Sequence, residues 1–115
     1  MRKRIGSEAI AITHFPFVVG RSPEHNEREP PRRPDLLIED HEPFRLSRDH
    51  FVITRDHDRV VVSDLGSTLG TIVNGIPIGH HFMRDIASLR SGDNRILAGG
   101  RDSPFDFGVS VGPPA

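Results

Sequence analysis

The chain has 115 residues, a formal net charge of −1 and no cysteine. This length is typical of one domain, and the lack of cysteine excludes disulfide bridges and thiolate metal sites and agrees with a reducing compartment. The near-neutral charge argues against nucleic-acid binding, which normally appears as a strong basic excess. No secretory signal follows the basic N-terminus, and no apolar run approaches the roughly 20 residues that cross a bilayer. We therefore expect a soluble, cytoplasmic domain without a nucleic-acid or membrane partner.

Short β-rich runs separated by turn residues dominate the sequence. Its 10 prolines and 11 glycines interrupt any long helix. The runs rich in Val, Ile, Phe and Thr are Ala9 to Thr13, Phe15 to Val19, Phe51 to Thr54, Val60 to Val62, Thr71 to Val73, Arg95 to Leu97 and Phe105 to Val111. In the last run apolar residues occupy every second position, which buries one face of a strand and leaves the other in water. The pattern predicts an all-β sandwich or barrel.

The first third of the chain holds one predicted hairpin and one long loop. The hairpin spans Glu8 to Gly20. The charged and proline-rich residues Ser22 to Pro34 lack an apolar anchor, which predicts a mobile surface loop. Leu36 to Ile38 is a candidate short strand.

The rest of the chain is punctuated by turns. One hairpin is predicted to turn at residues 55–58 and another at Asn74-Gly75. Residues 80–89 are expected to hold a short helical turn, and the tail 112–115 to be frayed. We expect residues 1–115 to form a single domain with its core at about 8–111.

Three short polar motifs occur between the strands. Gly20-Arg21 ends an apolar strand, Ser47-Arg48-Asp49-His50 opens another, and Ser67-Thr68-Leu69-Gly70-Thr71 follows Asp64. A phosphomonoester carries about −1.5 to −2 charges at neutral pH and three strong acceptor oxygens. Guanidinium groups supply charge and forked donors, and hydroxyls and loop amides supply neutral donors. These motifs would offer that set of donors if their loops met at one end of a sandwich.

The order of the motifs resembles that of the forkhead-associated (FHA) domain family. The shared pattern is Gly-Arg, then Ser-Arg-x-His, then Asp-x-x-Ser-x-x-Gly-Thr with a following Asn-Gly, and Leu89 to Ile96 is similar to the family's Leu-x-x-Gly-Asp-x-x-Ile stretch. The similarity covers roughly Phe15 to Phe107. It implies a β-sandwich of about eleven strands whose apical loops bind phosphothreonine peptides. It also implies a part in Ser/Thr-kinase signalling or complex assembly, in a bacterium to judge from the arginine-rich composition and the habit of the family.

The resemblance implies a role for each motif residue by position. The residues matching phosphate-binding positions are Arg21, Ser47, Arg48 and Thr68. The residues matching positions that mainly shape the loops are Gly20, His50, Ser67, Gly70 and Asn74.

Leu69 is the one clear departure from the family pattern. The family usually has asparagine at this position, and its amide holds the peptide backbone beside the phosphothreonine. Leucine cannot make those hydrogen bonds, and losing one or two is expected to cost roughly 0.5 to 3 kcal/mol. By its position Leu69 is expected to contact the peptide. Because the hydrogen bonds are missing, we expect the affinity for a phosphothreonine peptide to be about ten- to a hundredfold lower than with asparagine.

Other functions are less consistent with the sequence. An enzyme is not expected, because Thr68 stands where a nucleophile elbow needs serine and no Gly-x-x-x-x-Gly-Lys phosphate loop occurs. The seven histidines lack the spacing of a zinc site, so no metal or cofactor is expected. The remaining alternative is a module on the same fold for phosphate-independent docking or self-association, which Leu69 favours. The partner, the kinase and the oligomeric state stay open.

Overall fold

The computed structural model describes residues 8–9, 12, 14–22, 34–40 and 44–111. Within these ranges the chain forms ten strands and no helix, so no described helix is long and apolar enough to cross a membrane. The strands are β1 (Glu8–Ala9), β2 (Phe17–Arg21), β3 (Leu36–Ile38), β4 (Phe51–Asp56), β5 (Arg59–Asp64), β6 (Thr71–Val73), β7 (Ile76–Ile78), β8 (Ile86–Ser88), β9 (Gly92–Ala98) and β10 (Phe105–Val111). Residues 23–33 of the predicted loop and the tail 112–115 lie outside the described residues.

The strands form two five-stranded sheets. One has the order β1-β10-β9-β6-β7 and the other β3-β2-β4-β5-β8. Pairing is antiparallel except between β1 and β10 and between β2 and β3. The ring centroids of Phe51 on β4 and Phe107 on β10 lie 6.4 Å apart, so the two sheets pack face to face. The predicted all-β sandwich is confirmed.

The core follows from the alternation of apolar residues along the strands. On β10, Phe105, Phe107 and Val109 point inward, and on β4 Phe51 and Ile53 do so. Full burial of such a side chain contributes roughly 1.5 to 3 kcal/mol relative to its exposure. These inward rows hold the sheets together and leave the connecting loops at the two ends of the sandwich.

The predicted N-terminal hairpin is wrong. β1 pairs with β10 in one sheet, whereas β2 pairs with β3 and β4 in the other. The chain therefore crosses between sheets where the sequence indicated a tight reversal. Alternation identifies a strand and its buried face, but it does not identify the strand's partner.

Both later hairpins are confirmed. β4 and β5 turn at His57-Asp58, and β6 and β7 turn at Asn74-Gly75. Asn74 and Gly75 both have positive φ, 49° and 85°, which is the geometry that favours Asn-Gly in two-residue hairpins.

The predicted helical turn within residues 80–89 is also wrong. The Phe82 N–H donates to the carbonyl of Gly79 in a single reverse turn, and the chain then enters β8. Both ends of β8 are fastened to β5, since Asp64 N–H donates to the Asp85 carbonyl and Leu89 N–H donates to that of Val60. This pairing with a distant strand outweighs the local preference of the segment.

Candidate functional site

Two loops meet at the end of β2. One loop, residues 44–50, leads into β4, and the other, residues 65–70, joins β5 to β6. The Arg21 N–H donates to the carbonyl oxygen of Ser47 at 3.0 Å. The Thr68 N–H donates to the hydroxyl oxygen of Ser47 at 3.1 Å. Ser47, in the first loop, thus connects Arg21 at the end of β2 with Thr68 in the second loop. Three of the predicted phosphate-binding residues therefore lie together.

Gly20 positions the fourth, Arg48. A methyl group on the Cα of Gly20 would lie 1.9 Å from the Arg48 carbonyl oxygen and 2.8 Å from its carbonyl carbon. Pro34 bounds the same space at 3.2 Å. The backbone of the 44–50 loop therefore rests on β2 where any other residue would carry a side chain. The absence of a Cβ at Gly20 sets where the Arg48 side chain begins.

Arg21 forms part of the floor of the site. Its side chain is only 6% exposed. Its Nε–H donates to the carbonyl of Leu46 at 3.2 Å, and its guanidinium carbon lies 3.9 Å from the centroid of the Phe44 ring. A cation over an aromatic face is attracted by about 0.5 to 2 kcal/mol. These contacts restrict the guanidinium, so little side-chain entropy remains to be lost when it meets an anion.

The carboxylate of Asp64 organises the 65–70 loop. It accepts hydrogen bonds from the N–H groups of Gly66 (3.0 Å) and Ser67 (2.9 Å) and from the hydroxyls of Ser67 (2.7 Å) and Thr71 (2.7 Å). The Ser67 hydroxyl oxygen in turn accepts from the N–H of Gly70 at 2.9 Å. Because this network closes the loop on itself, Thr68 at its tip is held in place beside Ser47.

His50 connects the two loops beneath their surface. Its side chain is 0% exposed. The Ser47 N–H donates to Nδ1 at 3.1 Å, which leaves the proton on Nε2, and Nε2–H donates to the carbonyl of Gly70 at 2.9 Å. A neutral imidazole with both nitrogens engaged is a structural brace, as the loop-shaping prediction for this residue expects.

Acidification is expected to destabilise the protein through His50. Burial holds the pKa of this imidazole below its ordinary value, while the hydrogen bond to Gly70 and the charge of Asp64 oppose the shift less strongly. In the unfolded chain histidine titrates near about 6.5. Between the folded pKa and this value the unfolded chain binds the extra proton, so the stability contributed by neutral His50 is complete above about pH 6.5 and is lost as the pH falls.

Urea unfolding of the wild type and of His50→Gln at about pH 7.5 and about pH 5.5 measures this effect. We expect the wild type to lose up to about 1.4 kcal/mol more per pH unit than the variant inside the titration window. The other histidines are common to both proteins and cancel in the difference. Equal losses in the two proteins would show that His50 does not titrate on unfolding.

Of the remaining predicted residues, Leu69 lies at the site and Asn74 lies outside it. Leu69 lies in the 65–70 loop next to Thr68 and is 41% exposed. Asn74 shapes a different region, at the far end of β6 from this loop. Its side chain donates to Oδ1 of Asn94 at 2.9 Å and accepts from the Arg95 N–H at 2.9 Å.

Two supporting residues had no predicted role. Phe44, under the Arg21 guanidinium, carries no sequence signal, since a single aromatic residue in a loop is not distinctive. Asp40 is buried and accepts from the N–H groups of Arg45 and Leu46 at 2.8 and 2.9 Å, which fastens the start of the 44–50 loop. Aspartate often makes such bonds to nearby backbone. Among the described residues no group of three His, Asp or Glu side chains is arranged to hold a metal ion.

Comparison with solved structures agrees with the fold. One similar solved structure is the FHA domain of FhaA complexed with the intracellular domain of Rv3910, with 22% identity, a TM-score of 0.55, and coverage of 84% of this chain and 80% of the other. Another is the FHA domain of the CT664 protein from Chlamydia trachomatis, with 25% identity, a TM-score of 0.50, and coverage of 72% and 66%. No curated protein is significantly similar in sequence.

A family model provides the assignment. The model of the FHA domain matches residues 17–97, well over half of the chain. This range includes the whole of the two loops and the strand end that form the site. The chain therefore belongs to the FHA domain family, whose members are protein-interaction modules.

Proposed function

We propose that the chain recognises a phosphothreonine-containing protein or peptide, in Ser/Thr-kinase signalling or complex assembly in a bacterial cytoplasm. The observation that carries this proposal is the junction at Ser47, whose carbonyl oxygen accepts from the Arg21 N–H and whose hydroxyl oxygen accepts from the Thr68 N–H. Arg48 adjoins this junction as the next residue in the chain. Two guanidinium groups, two hydroxyls and loop amides are the donors that a phosphate needs.

The chemistry of each group supports anion binding. Arg21 is held by Leu46 and Phe44, so its charge is fixed in the floor of the site. The Ser47 hydroxyl oxygen accepts from Thr68, which leaves its own proton available to donate to a phosphate oxygen. Such preorganised, charge-assisted bonds are roughly twice as strong as neutral ones.

One observation supports a protein as the partner. In a similar structure the FHA domain of FhaA is complexed with a protein domain, the intracellular domain of Rv3910. We propose that the partner of this chain is likewise a protein, and that the segment it binds has been phosphorylated by a kinase. We propose an interaction module and not an enzyme. His50, which joins the two loops, is not available for proton transfer, because both its nitrogens are engaged in structural hydrogen bonds and the imidazole is 0% exposed. It has no capacity left to act as a general base.

Phosphate-independent docking is the second candidate. The exposed side chain of Leu69 in the loop next to Thr68 favours it, because leucine offers apolar surface and no hydrogen bond. The two candidates differ in whether binding requires the phosphate.

Calorimetric titration with a pool of phosphothreonine peptides tests the proposal, with the unphosphorylated pool as a control. We expect Arg48→Ala to lower the affinity for the phosphorylated pool at least about tenfold, since a hydrogen bond to a charged group contributes about 1.5 to 3 kcal/mol. Arg55→Ala is the matched control, because Arg55 is an exposed arginine at the opposite end of β4. Circular dichroism checks that each variant is folded.

Three results would contradict this function. Equal binding of the phosphorylated and unphosphorylated pools would favour the docking module. Equal loss of affinity in the Arg48 and Arg55 variants would mean that only overall charge matters. Wild-type affinity in Arg48→Ala would exclude Arg48 from the phosphate site.

A further inference from the structure

An apolar rim formed by Leu69 and Phe82 adjoins the proposed phosphate site. The two side chains are 41% and 42% exposed. The Phe82 ring covers Gly70, since a methyl group on Gly70 would lie 3.0 Å from the ring carbon Cε2. Thr68 lies beside Ser47, Leu69 follows Thr68 in the loop, and the Phe82 ring lies over the next residue, Gly70.

The exposure of these side chains is not explained by folding. Neither Leu69 nor Phe82 belongs to the buried core cluster or to the partly buried residues packed against it. The loop that carries Leu69 is held by the carboxylate of Asp64 and by His50, and not by burial of the leucine. A rigid loop that presents an apolar side chain beside a polar site has the form of a recognition surface.

We propose that the Leu69–Phe82 rim binds a bulky apolar side chain of the phosphopeptide itself. This inference rests on the proposed phosphothreonine recognition and names the kind of peptide that the site selects. The leucine side chain offers a peptide an apolar contact, which selects a side chain, and no hydrogen bond to the peptide backbone, which would accept any sequence. The favoured ligand carries a phosphate for the arginines and, close to it, an apolar residue for the rim.

The distance between the two parts limits where that residue lies. The Cα of Leu69 is about 3.8 Å from that of Thr68 across one peptide bond, and an extended peptide advances about 3.3 Å per residue. An apolar side chain within roughly four residues of the phosphothreonine therefore reaches the rim while the phosphate meets Ser47 and the arginines.

A leucine scan tests the proposal. The probes are phosphothreonine peptides with flanks of serine and glycine, each with leucine at a single position, and the parent peptide without leucine. We expect leucine at one position, or at two that share a face of the extended peptide, to tighten binding by about tenfold, the effect of partly burying one large apolar side chain. Leucine elsewhere is expected to leave the affinity unchanged.

Leu69→Asn links this preference to the rim. Asparagine has nearly the same shape as leucine. Any new hydrogen bond from asparagine to the peptide backbone strengthens the binding of the preferred leucine peptide and of the parent peptide alike. The ratio of the affinities for these two peptides therefore isolates the apolar contact. We expect this ratio to fall from about tenfold to less than about threefold in Leu69→Asn. Ile76→Asn is the control, because Ile76 is 44% exposed but lies next to the Asn74-Gly75 turn, away from the two loops. Its ratio is expected to match that of the wild type.

The possible failures are distinguishable. Phosphate-dependent binding with no preferred leucine position would overturn the rim and leave the proposed function intact. A preference unaltered by Leu69→Asn would likewise overturn it. Absence of phosphate-dependent binding by any peptide would remove the proposed function and the rim with it. Self-association that Leu69→Asn abolishes, measured by sedimentation, would assign the rim to a second copy and overturn a peptide as its occupant.

Discussion

Gly20→Ala is expected to lower the free energy of unfolding by at least about 3 kcal/mol, a large fraction of the roughly 5 to 15 kcal/mol that holds a domain together. The added methyl would lie 1.9 Å from the Arg48 carbonyl oxygen. That atom belongs to the backbone, so no side-chain rotation relieves the clash. Either β2 or the 44–50 loop must move. The two hydrogen bonds that join them, from the Arg21 N–H to the Ser47 carbonyl and from the His50 N–H to the Val19 carbonyl, are then lost.

Gly108→Ala is the matched control for this substitution. Gly108 lies in β10, and a methyl group built there meets nothing within 4 Å. Alanine at such a position is expected to be neutral or to stabilise by up to about 1 kcal/mol, since glycine loses more backbone entropy on folding. Denaturant unfolding measures both variants. Similar stability of the two would show that Gly20 tolerates a side chain and that the contact with Arg48 yields easily.

Phosphopeptide binding by Gly20→Ala provides an independent measurement under conditions in which the variant is folded. We expect the affinity to fall at least about tenfold, because displacement of the loop moves Arg48 and Ser47 together, and each is proposed to make a charge-assisted bond to the phosphate. Wild-type affinity in a folded Gly20→Ala protein would mean that the loop keeps its place. The role of this glycine in the site would then be excluded.

The sequence predicts the strands and the loops of the site better than it predicts which strands pair with each other. Alternation over residues 105–111 identifies β10 and its buried face, because a strand half-buried in a sandwich must repeat with a period of two. The partner of β1 is β10, about a hundred residues away in sequence. No local pattern encodes such a pairing, and for this reason the predicted hairpin from Glu8 to Gly20 is wrong.

The site likewise has residues that the sequence motifs predict and residues that only the folded structure reveals. The motif residues Arg21, Ser47 and Thr68 are brought together as the order of the motifs predicts. Phe44 and Asp40 support them through a cation–π contact and through backbone hydrogen bonds that depend on the final course of the 44–50 loop. Because such contacts exist only once the loop is folded, a single sequence carries almost no signal for them.

Asp64→Ala is expected to destabilise the protein by about 2 to 4 kcal/mol, since an unsatisfied buried donor costs about 1 to 3 kcal/mol. The substitution removes the acceptor of four hydrogen bonds, two of them from the hydroxyls of Ser67 and Thr71, which are both 0% exposed. Asp93→Ala is the control, because Asp93 is an exposed aspartate in β9. Equal unfolding midpoints for the two variants would contradict the role of Asp64.

Amide hydrogen exchange locates the effect of Asp64→Ala within the molecule. The N–H of Gly70 donates to the Ser67 hydroxyl oxygen, which Asp64 orients, and the Gly70 carbonyl accepts from His50. We expect protection to fall first at Ser67 and Gly70, while the amides of β10 keep the protection set by global unfolding. This order follows because the 65–70 loop is held by one carboxylate, whereas β10 is held by the core. Loss of protection throughout the sandwich at the same rate would instead make Asp64 part of the global folding unit, and Thr68 would then owe its position to the whole fold.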